Sequence, residues 1–213
     1  MNIEKDLKII EVFQKGSLTK RLSEIEDQIS GISAKESVDF CQSFGVDDNL
    51  IHSVKAVKKV AGQINVVLHA TGIMNSLSRL MRDGEIIESV SLGAGNTGRR
   101  FDLETNFQVA EFKFIDWQGG AETIRQNGLF KDFYNLAEFD TDKEKNLYVV
   151  GTKYPLKFLN GCRSLKSVLS KHPEILESIK LKYGSNISKA KDYFVLHKEF
   201  VHIRDVTQYM TGE

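Results

Sequence analysis

The segment RRFDLETNFQVAEFKFIDWQGG, residues 99–120, constrains the fold most strongly because it places charged residues within strand-forming sequence. Two strand-like runs lie on either side of Asn106 and Phe107, and a two-residue turn there makes them an antiparallel hairpin. The register that follows pairs Glu104 with Val109, Leu103 with Ala110 and Asp102 with Glu111. This register depends on the assumed turn, since a slip of one residue would move every side chain to the opposite face.

The predicted hairpin has one charged face and one apolar face, because side chains alternate along a strand and opposed residues share a face. The charged face holds Asp102, Glu104, Glu111 and Lys113. The apolar face holds Phe101, Leu103, Ala110, Phe112 and Phe114. The sequence therefore predicts a sheet with its apolar face on the core and a polar site on the other face.

The charged face favours a metal site. Opposed carboxylates destabilise a bare sheet, so Asp102 facing Glu111 needs a compensating group. A divalent cation provides it, and hard oxygen ligands suit Mg²⁺ or Mn²⁺, with Glu104 as an additional candidate ligand. Lys113 can hold a phosphate oxygen or position an attacking water, so the set predicts metal-assisted phosphodiester hydrolysis. The alternative is a solvated sheet face that carries a Glu–Lys pair.

The rest of the chain predicts helices and strands in alternation. Short helices are predicted over 2–14 and 17–30, and a strand in EIIESVSL precedes the hairpin. A helix in GGAETIRQNGLFKDFYNLAEF and a strand in NLYVVG follow, then mostly helix with a break near Pro173, and an end that is ambiguous between helix and strand. We expect an α/β domain with a mixed central sheet over 49–213 and a helical extension over 1–48.

A long helix is predicted over about 48–82, because apolar residues recur every three or four positions. Leu68, Met74 and Leu77 fall on its apolar face. His69 is interpreted as a histidine at the edge of the core.

With these elements in place, the sequence resembles the PD-(D/E)XK nuclease superfamily, whose restriction-endonuclease-like core runs helix, three strands, helix, strand. The matching residues are Asp102 in RFDLE, Glu111 and Lys113 in AEFKF, and Gln126 in TIRQNGLFKDFY. The resemblance implies that Asp102 and Glu111 bind the metal, that Lys113 is the catalytic lysine and that Gln126 supports the site. The proline that gives the superfamily its name is absent, since Phe101 precedes Asp102, and many members lack that proline.

Charge is unevenly distributed along a chain whose formal net charge is zero. The balances of residues 1–50, 51–100, 101–150 and 151–213 are −4, +4, −5 and +5. Basic segments on both sides of an acidic one suit a polyanion held over bound cations, and solvated faces are the alternative. Arg99, Arg100, Lys58 and Lys59 are the candidate nucleic-acid contacts.

Other features indicate a soluble cytoplasmic protein without a membrane partner. The most apolar stretch, INVVLHATGIMNSLSRL, is interrupted by polar residues, and the N-terminus lacks the pattern of a signal peptide. Cys41 and Cys162 fit no metal spacing and are expected to be free thiols.

The function that the sequence favours is a nuclease that depends on Mg²⁺ or Mn²⁺ and acts on DNA rather than RNA, in restriction or phage defence. An RNase or structure-specific nuclease, and a non-catalytic nucleic-acid-binding or assembly subunit, are the alternatives. A homodimer and a larger defence or processing complex both stay open. A nucleotide-binding enzyme that uses GAGNTG, residues 93–98, is disfavoured because a strand, not a helix, is predicted after this motif.

Overall fold

The computed structural model describes residues 2–93, 98–119 and 122–210. Contacts within the chain divide it into two compact units, residues 1–65 and 66–213. The division falls inside the long helix. The domain boundary predicted after residue 48 stays a prediction, since compactness alone does not define where a functional domain begins.

The first unit is helical. It contains α1 (Ile3–Gln14), α2 (Leu18–Ile29), α3 (Glu36–Ser43) and the first part of α4 (Asp48–Leu80). The helices predicted over 2–14, 17–30 and about 48–82 are therefore confirmed to within a few residues. Within residues 2–65 the buried side chains are Arg21, Leu50 and Ser53. A unit with so little buried apolar surface gains little stability from its own core.

The second unit contains a five-stranded mixed sheet within the described residues. Its strands are β1 (Ile87–Val90), β2 (Leu103–Thr105), β3 (Gln108–Lys113), β4 (Glu144–Val149) and β5 (Val201–Asp205). They lie in the order β1-β2-β3-β4-β5. The β1–β2 and β2–β3 pairs are antiparallel, whereas β3–β4 and β4–β5 are parallel. The protein therefore has a mixed α/β fold, as the sequence predicts.

Helices connect the parallel strands, as parallel pairing requires. They are α5 (Thr123–Ala137), α6 (Lys153–Leu159), α7 (Leu165–Val168), α8 (Pro173–Tyr183) and α9 (Ala190–His197), and a 3₁₀ turn follows at Thr207–Tyr209. Pro173 occupies the first turn of α8, which explains the predicted break. The ambiguous C-terminal stretch contains both a helix, α9, and a strand, β5.

Apolar clusters cover both faces of the sheet. On one face Val109 of β3 and Leu147 of β4 pack with Leu129 and Phe133 of α5. On the other face the cluster consists of Ile73, Leu103, Ala110, Phe112, Phe114, Tyr148 and Val206, so helix α4 covers it. The sheet is thus buried between helices, and a charged group on it must lie in a cavity rather than on an open face.

Two predictions about the core are wrong. Phe101 does not share a cluster with Leu103; it packs on the α5 side, with its ring centroid 4.9 Å from that of Phe139. Residues 101 and 102 form a bend before β2, so strand alternation does not extend to them. On α4, Met74 is 57% exposed whereas Ile73 is fully buried. The apolar residues of α4 surround the helix too broadly for their spacing alone to identify its buried face.

Candidate functional site

The hairpin register is the one that the sequence predicts. Leu103 pairs with Ala110, and Glu104 pairs with Val109. Asp102 lies just before β2 and accepts hydrogen bonds at both its side-chain carboxylate and its backbone oxygen. The Phe112 N–H donates to Asp102 Oδ2 at 2.9 Å, and the Ser91 N–H donates to the Asp102 backbone oxygen at 2.8 Å. These two bonds fix the Asp102 carboxylate beside strand β3.

A polar cavity of about 310 Å³ opens at this point of the sheet. Its polar lining consists of His69, Ser91, Arg99, Arg100, Asp102, Glu111, Lys113, Lys131, Asp132 and Asn135. The structure thus brings together the three residues of the predicted motif: Asp102, Glu111 and Lys113. Four cationic side chains and three carboxyl groups share the cavity, a composition that suits an anionic ligand held near a cation.

The pKa values of Glu111 and Asp102 are shifted in opposite directions. Burial, followed by repulsion from Asp132 and Asp102, raises the pKa of Glu111 to about 10. Burial also disfavours the charged form of Asp102. The contact with His69 and the hydrogen bond from the Phe112 N–H outweigh it, so the pKa of Asp102 is lowered. Carboxyl groups with pKa values moved in opposite directions are typical of functional sites, although structural networks produce them too.

Lys113 forms an ion pair with Asp132, which the sequence does not predict. Lys113 Nζ contacts Asp132 Oδ2 across the gap between β3 and α5. Asp132 is 9% exposed and lies between Phe130 and Phe133 on the buried side of α5. The sequence signal for a role of Asp132 is its place between the two phenylalanines of FKDF, because a carboxylate is rarely buried unless it has a partner.

His69 lines the polar cavity, whereas the sequence predicts it at the edge of the core. Its Nε2 atom lies 3.2 Å from Asp102 Oδ1, and its side chain is 13% exposed. Helix α4 carries it to the cavity, since Gly72, one turn later, allows close approach to Phe114. A Cβ built on Gly72 would lie 2.7 Å from the Phe114 ring.

Two predicted site residues lie outside this cavity. Glu104 accepts a hydrogen bond from Lys143 Nζ at 3.0 Å, and that lysine also pairs with Glu88. Gln126 lines a separate cavity of about 280 Å³ and accepts a hydrogen bond from Arg163. Gln126 lies six residues before Asp132 on α5, so the two residues are separated by roughly 120° around the helix axis.

The candidate nucleic-acid contacts fall in both units. Arg99 and Arg100 are exposed and line the polar cavity, and the Arg100 guanidinium lies 4.3 Å from the ring centroid of Phe139. Lys58 and Lys59 are exposed residues of α4 in the first unit. Residues 94–97 of the GAGNTG motif lie outside the described residues.

Asp102 and Glu111 are the two carboxyl groups of the cavity that could serve as ligands for a divalent cation. Across residues 2–93, 98–119 and 122–210, no group of three or more His, Cys, Asp or Glu side chains has an arrangement that could hold a metal ion. Asp102 and Glu111 are buried carboxyl groups that line the same cavity, and a cation bound between them would offset the repulsion that arises when Glu111 loses its proton. Mg²⁺ commonly keeps several waters and takes only one or two carboxylates from the protein, so this pair meets its requirement.

Comparison with known proteins finds no match: no family model, curated relative or solved structure matches the chain. Among the helices that the structure describes, none is long and apolar enough to span a membrane.

Proposed function

We propose that the polar cavity hydrolyses phosphodiester bonds in nucleic acid with the help of Mg²⁺ or Mn²⁺. The observation that carries this proposal is the convergence of Asp102, Glu111 and Lys113 on one cavity of about 310 Å³. Those three residue types in that spacing are the ones that resemble the PD-(D/E)XK pattern. The restriction-endonuclease-like core is part of the proposal, supported by the element order α4, β1, β2, β3, α5, β4.

Asp102 and Glu111 are the residues that would hold the cation. Asp102 is ready to do so, since its lowered pKa keeps it ionised near neutral pH. A bound divalent cation would stabilise charge on the scissile phosphate and favour deprotonation of the attacking water. Glu111 would have to lose its proton to serve as a ligand, so the affinity for the cation should rise with pH.

Lys113 would supply a fixed positive charge for the phosphate. The attraction of Asp132 outweighs burial and raises the pKa of Lys113, so the ammonium keeps its proton. Asp132 holds that ammonium on the cavity wall. A preorganised cation of this kind stabilises the charge that develops in the transition state without first having to reorient.

Arg99 and Arg100 extend the positive surface beyond the reacting centre. Both are exposed and line the cavity, where they can contact the phosphates of a bound strand. DNA as the substrate, and restriction or phage defence as the setting, follow from the resemblance alone.

One observation favours a non-catalytic binding subunit as the second candidate. Lys113 is already neutralised by Asp132 within the protein, so its charge is not fully available to a substrate. In that case the chain would bind nucleic acid through Arg99 and Arg100 and would not cleave it.

Incubation with linear, circular and single-stranded DNA and with RNA, each with Mg²⁺, Mn²⁺ or EDTA, tests the proposal. Cleavage should require metal and should be lost in Asp102→Asn and Glu111→Gln. Glu104→Gln is the matched control, because Glu104 is a carboxylate of the same hairpin outside the cavity. Cleavage that survives in Asp102→Asn contradicts the assignment of the site. Metal-independent binding without cleavage of any substrate supports the second candidate.

A further inference from the structure

A buried arginine in the first unit has few partners. Arg21 of α2 is 7% exposed, and its NH2 group donates one hydrogen bond to the Phe44 backbone oxygen at 3.3 Å. Its buried Nε has no hydrogen-bond partner within the described residues. Glu24 lies 3.6 Å from NH1, but its side chain is 59% exposed, so water screens this pair. A guanidinium has five donors, and a buried charge with so few partners is costly unless a ligand neutralises it.

Arg21 lines a cavity of about 590 Å³ formed wholly within residues 5–49. Three lysines, Lys5, Lys8 and Lys15, line the same cavity, so four cationic side chains converge on it. The volume lies within the range that is typical of small-molecule sites.

The carboxylate in the lining is already engaged. Asp47 Oδ1 accepts a hydrogen bond from the Leu50 N–H at 2.8 Å, and Oδ2 accepts one from Asn49 at 3.2 Å. Asp47 therefore caps the start of α4 and does not pair with Arg21. Four cations against one carboxylate leave the lining with a formal charge of +3.

The remaining lining is apolar with a polar edge. Phe13 and Phe44 are half-buried aromatic residues, and the Arg21 guanidinium lies 4.4 Å from the ring centroid of Phe44. Gln42 and Asn49 add carboxamide groups. Aromatic rings and arginine planes stack on flat heterocycles, and carboxamides hydrogen-bond to their edges.

We propose that this cavity binds a nucleoside phosphate, with the phosphate on Arg21 and the lysines and the base against the aromatic rings. A phosphate monoester carries a charge near −2 and three acceptor oxygens, which suits four cations better than a single carboxylate does. The chemistry is shared by a free nucleotide and by the phosphorylated end of a nucleic-acid strand. The inference does not depend on the proposed nuclease function, since none of its residues belongs to the polar cavity.

Calorimetric titration of the full chain in EDTA tests the proposal. One probe is AMP, with adenosine as its matched control. The other is a 5′-phosphorylated tetranucleotide, with the same tetranucleotide bearing a 5′-hydroxyl as its control. At least one phosphorylated probe should bind about tenfold or more tightly than its control. The probe that does so identifies the source of the ligand. If neither phosphorylated probe binds, or if each binds only as tightly as its control, the proposal is overturned.

Substitutions locate the binding. Arg21→Gln should weaken the affinity for the bound probe by about tenfold or more, and Lys8→Ala by a smaller factor. Arg21 is buried, so Arg21→Gln can fail to fold. Lys8→Ala and Lys15→Ala alter exposed residues and provide the test in that case. Lys20→Ala, on an exposed residue of α2 outside the cavity, should leave the affinity unchanged. Loss of binding in Arg99→Ala and Arg100→Ala but not in Lys8→Ala and Lys15→Ala assigns the probe to the polar cavity and overturns the proposal.

Discussion

Lys113 and Asp132 form an ion pair that joins strand β3 to helix α5 inside the polar cavity. The Lys113 side chain is 31% exposed and that of Asp132 is 13% exposed, so the pair is largely shielded from water. Burial raises the pKa of Asp132, although Lys113 opposes this shift. The two groups therefore depend on each other for their charged states, and a change in one alters the other.

Lys113→Ala should lower the free energy of unfolding by about 1–3 kcal/mol, because it leaves the Asp132 carboxylate buried without its cation. Lys113→Ala combined with Asp132→Asn should lose less than the sum of the single changes, with a coupling of about 1–2 kcal/mol. Urea denaturation of the four chains measures this. The exposed pair Lys198–Glu199, at 3.8 Å, should show almost no coupling in the same cycle. Additive effects at Lys113 and Asp132 would contradict the interpretation.

The hairpin could be predicted from the sequence, whereas the partners of its charged residues could not. Alternation and a two-residue turn fix the register of Leu103 with Ala110, because both are local properties. The contacts of Asp132 and His69 depend on how α5 and α4 pack on the sheet, which no local pattern specifies. Asp102 lies in a bend and accepts a hydrogen bond from the Phe112 N–H, and neither feature follows from strand alternation.

Asp102→Asn should weaken Mn²⁺ binding by about tenfold or more, since it removes one of the two carboxylates that would hold the cation. Glu104→Gln should leave the affinity unchanged, because Glu104 pairs with Lys143 at 3.0 Å instead. Calorimetric titration with Mn²⁺ measures both. Equal affinity in wild type and Asp102→Asn would show that the cation does not bind there.

Arg99→Ala and Arg100→Ala should each weaken nucleic-acid binding and reduce the slope of log affinity against log salt by about 1, because each removes one phosphate contact. The effect should be similar for different nucleotide sequences, since phosphate contacts carry no base information. Fluorescence anisotropy over a range of salt concentrations measures the slope. Lys35→Ala, an exposed lysine in the acidic first segment, is the matched control. A slope that neither arginine changes would place the binding surface elsewhere.

Glu138 at the end of α5 should make stability depend on pH. Its carboxylate accepts hydrogen bonds of 2.6–2.7 Å from Lys182, Tyr183 and Tyr193. Burial opposes its charge, but these bonds outweigh burial and lower the pKa of Glu138 below its usual value near 4.5. A lowered pKa stabilises the fold above the unfolded-state pKa, and this stabilisation is lost as pH falls through the folded-state pKa.

Glu138→Gln should therefore lower the free energy of unfolding at pH 7 by about 1–2 kcal/mol and lose less stability than wild type on acidification. Urea denaturation at pH 7 and at pH values below 4.5 measures the difference. Glu199→Gln, whose side chain is 78% exposed, should follow the wild-type profile. A Glu138→Gln profile parallel to that of wild type would mean that this carboxylate does not contribute to the acid dependence.

Two glycines of the same helix should respond in opposite ways to alanine. Gly72 packs against Phe114, and an added Cβ would lie 2.7 Å from that buried ring, so the helix or the ring must move. An added Cβ at Gly62 would have no described atom within 4 Å other than its chain neighbours and the nearby backbone of its own helix. Alanine is better than glycine inside a helix by about 1 kcal/mol, and at Gly62 nothing opposes this gain.

Gly62→Ala should therefore raise the melting temperature, and Gly72→Ala should lower it, because overpacking costs about 1–3 kcal/mol. The displacement in Gly72→Ala should also move His69, one turn earlier on α4, away from Asp102, where Nε2 and Oδ1 now lie 3.2 Å apart. Thermal melts of both variants measure the first effect, and the NMR chemical shifts of the His69 ring measure the second. A stabilised Gly72→Ala with unchanged His69 chemical shifts would mean that α4 does not approach Phe114 this closely.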